Sequence, residues 1–362
     1  MKEIKVVTGA GYGDEGKGLV SYALAHEAVN KGNKVLTVFA NGTIQRAHTV
    51  NDRILHCIGA GDLVGGSTYY WHSFVIDPIA LWITESKVIY NPMCRIITPW
   101  DVMANRKKET ARGEARHGSC GFGLFETVKR HTTISLCAKH LDKPWTLYEK
   151  LNKIKEHYTM EADEDEVYNT HNFHLAIDWM IRNCKCATLA EIENDFDTII
   201  FENGQGLRLD QMRINETHHL TPSSTGSFNI CEFVNLANVE TKDIYYVSRT
   251  YLTRHGAGEL PTECRREDIN PDIVDKTNMP NEWQGSLRFG WLDVDTMEKD
   301  IVKDSNRYSY CGATTHLVYT QLNYTGGRLA VGKDRYIDIV KPSFITGNVF
   351  GSETKDSMFK MI

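Results

Sequence analysis

The chain predicts an α/β fold: a mostly parallel central β-sheet flanked by helices, a P-loop-like nucleotide-binding fold with helical insertions. Three observations predict it. Short apolar runs recur from end to end, at residues 34–39, 74–78, 198–202, 244–248, 316–322 and 344–348. Helical stretches and loops alternate with them, the order expected of parallel strands joined by crossovers. The first run, Val6-Val7, enters a glycine-dense turn and then a helix-compatible stretch at residues 21–30, which is the strand–loop–helix order of a phosphate-binding loop.

That first loop carries the strongest signal. From Gly11 it reads G-x-x-x-x-G-K through Gly16 and Lys17, with Gly18 where the P-loop motif has Ser or Thr. Glycines let backbone N–H groups approach phosphate oxygens, the following helix N-terminus favours negative charge, and Lys17 adds a point charge. The usual hydroxyl ligates Mg²⁺, and Gly18 has none. Asp14 lies inside the loop. A carboxylate in a phosphate cradle repels phosphates unless a metal intervenes or it has a chemical task of its own.

The remaining elements follow in order. Residues 1–60 read as a βαβ start, with a helix stop at Lys31-Gly32-Asn33 and His48 just beyond the second strand, where parallel sheets collect ligands. Residues 79–86 read as a helix. Gly118-Ser119-Cys120-Gly121 places small residues between glycines, as an anion-binding nest does. Lys129-Arg130-His131 is a short basic group. Residues 140–195 alternate charged and apolar residues at helical spacing and hold an acidic run, which predicts a solvated helical subdomain without chemistry. The strand at 198–202 delivers Glu202 towards Gln205 in a glycine turn, and 221–226 is a hydroxyl-rich turn. Residues 344–348 read as the last strand and its turn. The whole, 1–362, is expected to be a single domain with the helical subdomain around 140–195.

Composition narrows the class. With 362 residues and a net charge of −6, the chain can bury a sizeable core and has no general nucleic-acid surface. Its 9 cysteines lack C-x-x-C zinc spacing and read as reduced thiols. No apolar run reaches the ~18 residues of a membrane helix, and no signal-peptide core opens the chain. A cytoplasmic setting is expected, the host cytoplasm if the protein is viral, with neither nucleic acid nor membrane as partner.

Taken together, the motifs resemble those of the adenylosuccinate synthetase family. The family's W-G-D-E-G-K-G-K resembles Tyr12-Gly13-Asp14-Glu15-Gly16-Lys17-Gly18-Leu19, and N-A-G-H-T resembles Gln45-Arg46-Ala47-His48-Thr49. G-T-T-G-R-G resembles Gly118 to Gly123, and F-E-G-A-Q-G resembles Phe201 to Gly206. T-R-V-G-A-G-P-F-P-T-E is similar to Thr253 to Glu263, and R-R-x-G-W-L-D to Leu287 to Asp293. The family joins L-aspartate to the 6-oxo carbon of a purine nucleotide. The resemblance implies that Asp14 takes the N1 proton of the purine and ligates Mg²⁺ together with the Ala47 carbonyl. It implies that O6 attacks the γ-phosphoryl group with His48 assisting, that Gln205 sits near O6, and that aspartate displaces the 6-phosphoryl group. By the same resemblance Gly13, Glu15, Gly16, Lys17, Gly18, Arg288, Gln321, Asn323, Thr346 and Gly347 bind the triphosphate. Gln45, Ser119, Cys120, Arg130, Gln205, Thr221 and Arg254 bind the substrate nucleotide, Arg130 reaching across a homodimer. Gln284, Gly285 and Ser286 meet aspartate.

Two departures bear on substrate. The guanine-reading T-K-L-D is Thr320-Gln321-Leu322-Asn323. Without the carboxylate that accepts from guanine N1–H and its 2-amino group, the expected donor is ATP or dATP rather than GTP. The T-T-G-R-P-R loop is Trp283-Gln284-Gly285-Ser286-Leu287-Arg288. Loss of the arginine at the ribose edge relaxes the demand for a 2′-hydroxyl. Both features resemble the viral branch that makes 2-aminoadenine nucleotides from dGMP, and dGMP is the expected substrate. That branch often has a smaller residue at Asp14, and IMP is the alternative. A non-catalytic P-loop switch is a further alternative, against which stand Gly18 and the absence of an N-K-x-D signature.

Overall fold

The computed structural model describes residues 2–158, 164–230, 239–274, 278, 283, 285–307, 312–353 and 359–362. Ten strands form the main sheet: β1 Lys2–Gly9, β2 Val35–Phe39, β3 Ser67–Tyr70, β4 Ile89–Tyr90, β5 Lys185–Cys186, β6 Thr198–Gly206, β7 Val239–Arg249, β8 Thr314–Thr320, β9 Val349–Gly351 and β10 Lys360–Met361. Their order across the sheet is β10-β9-β8-β7-β1-β6-β2-β3-β4-β5. Neighbours run parallel except β9 and β10. From β1 the sheet grows one way through β6 and β2 and the other way through β7 and β8. The carboxyl end of β1 is therefore a topological switch point, where open α/β sheets bind ligands.

The strand sequences show why both faces are covered. Val6, Ile199, Phe201, Leu36 and Tyr246 point into one apolar cluster, while their chain neighbours Val7, Ile200, Val35, Tyr245 and Val247 point into another. This is the period-two alternation of a strand buried on both faces. Helix α1, Lys17–Asn30, lies over the second face and supplies Val20, Leu24, Ala25 and Ala28 to it.

Residues 140–195 hold the long helices α4 (Pro144–Tyr158) and α5 (Glu164–Asn183) and a single-turn helix, Leu189–Ile192, preceded by α2 (Pro99–Arg112) and α3 (Leu124–His131). Leu147, Leu151 and Ile154 of α4 and Phe173, Ile177 and Met180 of α5 join one buried cluster with Tyr70 of β3 and Tyr90 of β4. The segment is thus docked on the sheet through an apolar face, and it adds the edge strand β5, which its helical pattern did not announce.

The C-terminal expectation is corrected. Residues 344–348 are not a strand; the strand begins at Val349, and Leu317, Val318 and Tyr319 of β8 pair with Val349, Phe350 and Gly351. The apolar Phe344-Ile345 pair, which reads as a strand, packs at the core instead.

Candidate active site

The carboxyl ends of β1, β6, β7 and β8 meet at the turn after β1. Ala10 N donates to Val247 O at 2.8 Å, continuing the β1–β7 pairing into the loop. Gly206, at the end of β6, comes so close that a Cβ there would lie 2.2 Å from Gly11 O. Gly16 has φ 96° and starts α1 from the left-handed region, which a glycine enters at little cost. Within the turn, the Glu15 carboxylate accepts from Gly11 N at 3.0 Å, Gly13 N at 2.7 Å and Lys17 Nζ at 2.6 Å. Burial opposes the charge on Glu15, but Lys17 and the loop N–H groups outweigh it and hold the carboxyl below its ordinary range. Lys17 also donates to Gly13 O at 2.8 Å. The lysine is therefore folded onto its own loop, and an incoming phosphate competes with Glu15 for it.

Asp14 escapes that arrangement. Arg249, the last residue of β7, donates from Nε to Asp14 O at 2.5 Å and forms an ion pair with Asp14 Oδ2. Asn278 Nδ2 donates to the same oxygen at 3.1 Å. On the other side of the turn, a Cβ on Gly13 would lie 2.9 Å from Gln205 Oε1, so the amide of Gln205 packs against the residue preceding Asp14. Asp14 and Gln205 thus flank one turn. Arg249 was missed in the sequence; its place at the carboxyl end of a predicted strand was the signal available.

His48 forms a second cluster. It begins the hairpin strand His48–Val50 and is buried, its Nδ1 2.5 Å from Glu202 Oε1 on β6. Burial, then the charge of Arg46, pushes its pKa down to about 4, so the ring is neutral at physiological pH. A carboxylate only accepts, so Nδ1 carries the proton and Nε2 the lone pair; Nε2 is buried and has no hydrogen-bond partner among the described residues. Gly18 is tied to this histidine: a Cβ at Gly18 would lie 2.6 Å from His48 Cβ. The hydroxyl missing from the P-loop motif is missing because His48 packs where that side chain would be.

The other oxygen of Glu202 accepts from Ala60 N at 2.9 Å. Two residues on, Asp62 accepts from Thr68 Oγ1 at 2.6 Å. Burial pushes its carboxyl up from the ordinary 3.8 to about 7, against the Thr68 hydrogen bond. A carboxyl with a raised folded-state pKa favours folding most at low pH, and that contribution is lost as pH rises from about 4 through about 7. Asp62→Asn keeps an acceptor for Thr68. It is expected to melt on the order of 5 °C above the wild type at pH 8.5, and to show no such gain at pH 4, by calorimetry at both pH values.

The substrate-side loops assemble next to these groups. Gln45 Nε2 donates to Thr221 Oγ1 at 3.4 Å. Gly118, with φ 73°, packs so tightly on the 256–257 turn that a Cβ would lie 2.5 Å from Ala257 N. Ser119 exchanges hydrogen bonds with Asn105 on α2, and burial pushes the Cys120 thiol up to about 12, so it stays protonated. Arg254 lies with Cζ 4.6 Å from the Tyr12 ring centroid and donates to Ala257 O and Glu259 O. Arg288 supports the same turn, donating to Gly258 O at 2.8 Å while paired with Glu263. Gly285 and Ser286 are exposed, as is Ala47; Gln284 lies outside the described residues.

At the end of β8, Thr320 Oγ1 donates to Glu15 O at 2.6 Å, tying the donor-base segment to the first loop. Gln321 follows in the left-handed region with φ 65°, and Asn323 is exposed.

Two site expectations are corrected. Thr346 and Gly347 are not at this edge. Thr346 Oγ1 accepts from Thr315 N at 2.9 Å and Gly347 N donates to Thr315 O at 2.8 Å, at the amino end of β8. The β8–β9 register puts Ser352 at the ligand edge instead, where its N–H donates to Tyr319 O at 2.9 Å. Arg130 is not poised to cross a subunit boundary. Its side chain is buried, bound to both Asp101 oxygens at 2.8 and 3.0 Å and to the carbonyls of Ile134 and Ile96.

No three His, Cys, Asp or Glu side chains among the described residues gather into a metal cage. Mg²⁺ is commonly held by one or two carboxylates with substrate phosphates, and Asp14, the loop carboxylate that Lys17 does not neutralise, fits that donor set. Among the described residues no helix is long and apolar enough to cross a membrane.

The model of the adenylosuccinate synthetase family matches residues 6–311. The adenylosuccinate synthetase of Clostridium perfringens is 28% identical over 349 residues, covering 89% of this chain and 78% of the relative. That of Halothermothrix orenii is 26% identical over 366 residues, with the same coverage of 89% and 78%. Among solved structures, the fully ligated adenylosuccinate synthetase of Plasmodium falciparum superposes with a TM-score of 0.67 at 17% identity, covering 90% of this chain and 78% of that one. The cyanophage S-2L succinoaminodeoxyadenylate synthetase, bound to dGMP and dATP, superposes with a TM-score of 0.57 at 15% identity, covering 90% and 86%. At those identities the two superpositions speak for the fold. The chain belongs to the adenylosuccinate synthetase family and shares its ligase chemistry.

Proposed function

We propose that the protein joins the amino group of L-aspartate to the 6-oxo carbon of a purine nucleoside monophosphate, using a nucleoside triphosphate and a 6-phosphoryl intermediate. The observation that carries this reading is the meeting, around one turn, of Asp14, Gln205 and Lys17, with the lone pair of His48 Nε2 buried, and unpartnered among the described residues, beside the first turn of α1. In the first stage Asp14 accepts the N1 proton as Gln205 hydrogen-bonds near O6, and O6 attacks the γ-phosphorus, whose bond to the β–γ bridging oxygen breaks so that the nucleoside diphosphate leaves. Lys17 leaves Glu15 for the phosphates, and backbone N–H groups of the loop stabilise the charge. Asp14 would hold Mg²⁺, which would supply charge neutralisation on the phosphates. His48 enters as a neutral ring whose Nε2 accepts a hydrogen bond; a phosphate dianion beside it favours the protonated form, which donates. In the second stage the aspartate amine displaces the 6-phosphoryl group.

For the purine, the curated relatives support IMP, because the matches cited above at up to 28% identity bear the name adenylosuccinate synthetase. The dGMP reading rests on Ser286 in place of the ribose-edge arginine and on the base segment Gln321-Leu322-Asn323. Product formation with IMP and with dGMP, each with aspartate and ATP, separates them: turnover of IMP alone removes dGMP, and the converse removes IMP. If neither gives phosphate release, the ligase reading fails.

For the donor, ATP or dATP fits Asn323 better than GTP does. Asn323→Asp is expected to shift the ATP/GTP ratio of kcat/KM towards GTP by ~10-fold or more, the scale of one base-edge hydrogen-bond pair. An unchanged ratio places the base pocket elsewhere. The homodimer expectation loses Arg130, the residue it rested on, since that side chain is spent inside its own fold.

A further inference from the structure

Arg46 stands where the resembling family segment has alanine, and the chemistry above makes no use of it. Its side chain is 1% exposed, and its Cζ lies 3.3 Å from the centroid of the Phe39 ring, a stacked arrangement. The guanidinium holds Glu202 twice: NH1 donates to the backbone carbonyl at 3.0 Å and NH2 to Oε1 at 2.5 Å. Burial brings Arg46 down to about 10, partly offset by Glu202, so it remains a cation at neutral pH.

The same Oε1 is 2.5 Å from His48 Nδ1, and Nδ1 is 2.9 Å from the Arg46 NH2 group. The two contacts to the carboxylate, both shorter than the one between the nitrogens, decide the proton assignment. If NH2 donated to Nδ1, that nitrogen would carry no proton and would meet Oε1 lone pair to lone pair. With Nδ1–H and NH2 both donating to Oε1, the two shortest contacts, at 2.5 Å each, pair a donor with the carboxylate, and NH2 and Nδ1 lie side by side at 2.9 Å as two donors sharing one acceptor. Glu202 is completely buried. A further hydrogen bond, from Ala60 N to Oε2 at 2.9 Å, holds the opposite oxygen.

We propose that Arg46 is a positioning residue of the active centre: its fork clamps Glu202, and Glu202 thereby holds His48 in the Nδ1–H tautomer with the Nε2 lone pair presented beside α1. The inference rests on the reading in which His48 acts on the transferring phosphoryl group. A lysine supplies the charge but not the planar fork, which holds a carbonyl and a carboxylate at once. Losing the fork frees Glu202 to rotate and the imidazole to change tautomer.

Two variants test it, Arg46→Lys and Arg46→Met, the second keeping an unbranched apolar stem over Phe39. In ¹⁵N-histidine-labelled protein without nucleotides, the wild-type His48 signals are expected to show a protonated Nδ1 and an unprotonated Nε2. Both variants are expected to move towards a tautomer mixture. In steady-state assays kcat is expected to fall by ~30-fold or more, while KM for both nucleotides stays within about threefold. A purely structural role lowers the folded fraction and leaves kcat per folded molecule and the His48 shifts unchanged, which overturns the proposal. If Arg46→Met does not fold, Arg46→Lys decides alone, by the same two readouts. The nuclear magnetic resonance arm needs no substrate. A wrong tautomer in the wild type overturns the positioning itself, whereas absent turnover with the expected tautomer overturns only the assigned reaction.

Discussion

Asp14→Asn is expected to lower turnover by about 10³-fold while the triphosphate still binds. General-base catalysis is worth roughly 10²–10⁴-fold, and asparagine cannot accept the N1 proton. Binding survives because Lys17 and the N–H groups of the loop are untouched. Asparagine is the informative substitution: its amide oxygen can still accept from Arg249, which in the wild type pairs with the Asp14 carboxylate. Asp14→Ala removes that acceptor from a side chain that is 7% exposed. A lost ion-pair partner at a buried charge costs several kcal/mol, so the alanine variant is expected to lose melting temperature as well as activity. Calorimetric titration with ATP and isotope exchange into the γ-phosphoryl bridge separate binding from chemistry. Wild-type exchange in the asparagine variant removes Asp14 from the base role.

The pairing with Arg249 also shapes how the site works. Asp14 cannot meet a metal ion or a purine N1–H through Oδ2 while Arg249 and Asn278 both donate to that oxygen. Lys17 is likewise held on Glu15. Both charges are engaged with partners of their own chain, so under the proposed function binding would be an exchange of partners rather than the filling of an open cradle. Such exchange limits the cost of burying Lys17 and Asp14 before the phosphates arrive.

The centre of this fold was legible because parallel strands buried on both faces spell continuous apolar runs, as at 34–39 and 198–202, and because a glycine-dense turn has few alternative meanings. Edges were harder. Lys185–Cys186 contributes two residues to the sheet, too short for any period to register. Thr346 and Gly347 misled for a related reason: Phe344-Ile345 is apolar enough to be a strand, but Pro342 and the Gly347 turn deliver it to the core instead, and the true strand is the brief Val349–Gly351. Arg130 misled because one basic residue at a helix end reads the same whether it faces a partner or Asp101. Arg46, Glu202 and Arg249 act through contacts between residues far apart in the chain: Arg46 with Glu202, Glu202 with His48, and Arg249 with Asp14. No local pattern encodes such pairs.

Restoring the ordinary P-loop residue is expected to destroy this one. Gly18→Ser supplies the hydroxyl that usually ligates Mg²⁺, so a motif-level reading expects tighter metal binding. The packing argues the reverse. The new Cβ would lie 2.6 Å from His48 Cβ and 3.3 Å from both His48 Cγ and Val50 Cγ2. The nearest atom is one bond from the backbone of a hairpin strand, so it cannot swing aside as a side-chain tip does. Either α1 lifts from the hairpin or His48 retreats, at a cost of about 1–3 kcal/mol for an overpacked buried site. Either movement takes the Nε2 lone pair from its place and strains the short His48–Glu202 contact. The expected result is kcat reduced by ~10²-fold or more with a lower melting temperature, and no recovery at high Mg²⁺. Gly18→Ala carries the same Cβ without the hydroxyl and is expected to fail in the same way. If the serine variant is active while the alanine variant is not, the hydroxyl has found a ligand to hold. The glycine would then be an absence in the metal site rather than room made for the histidine.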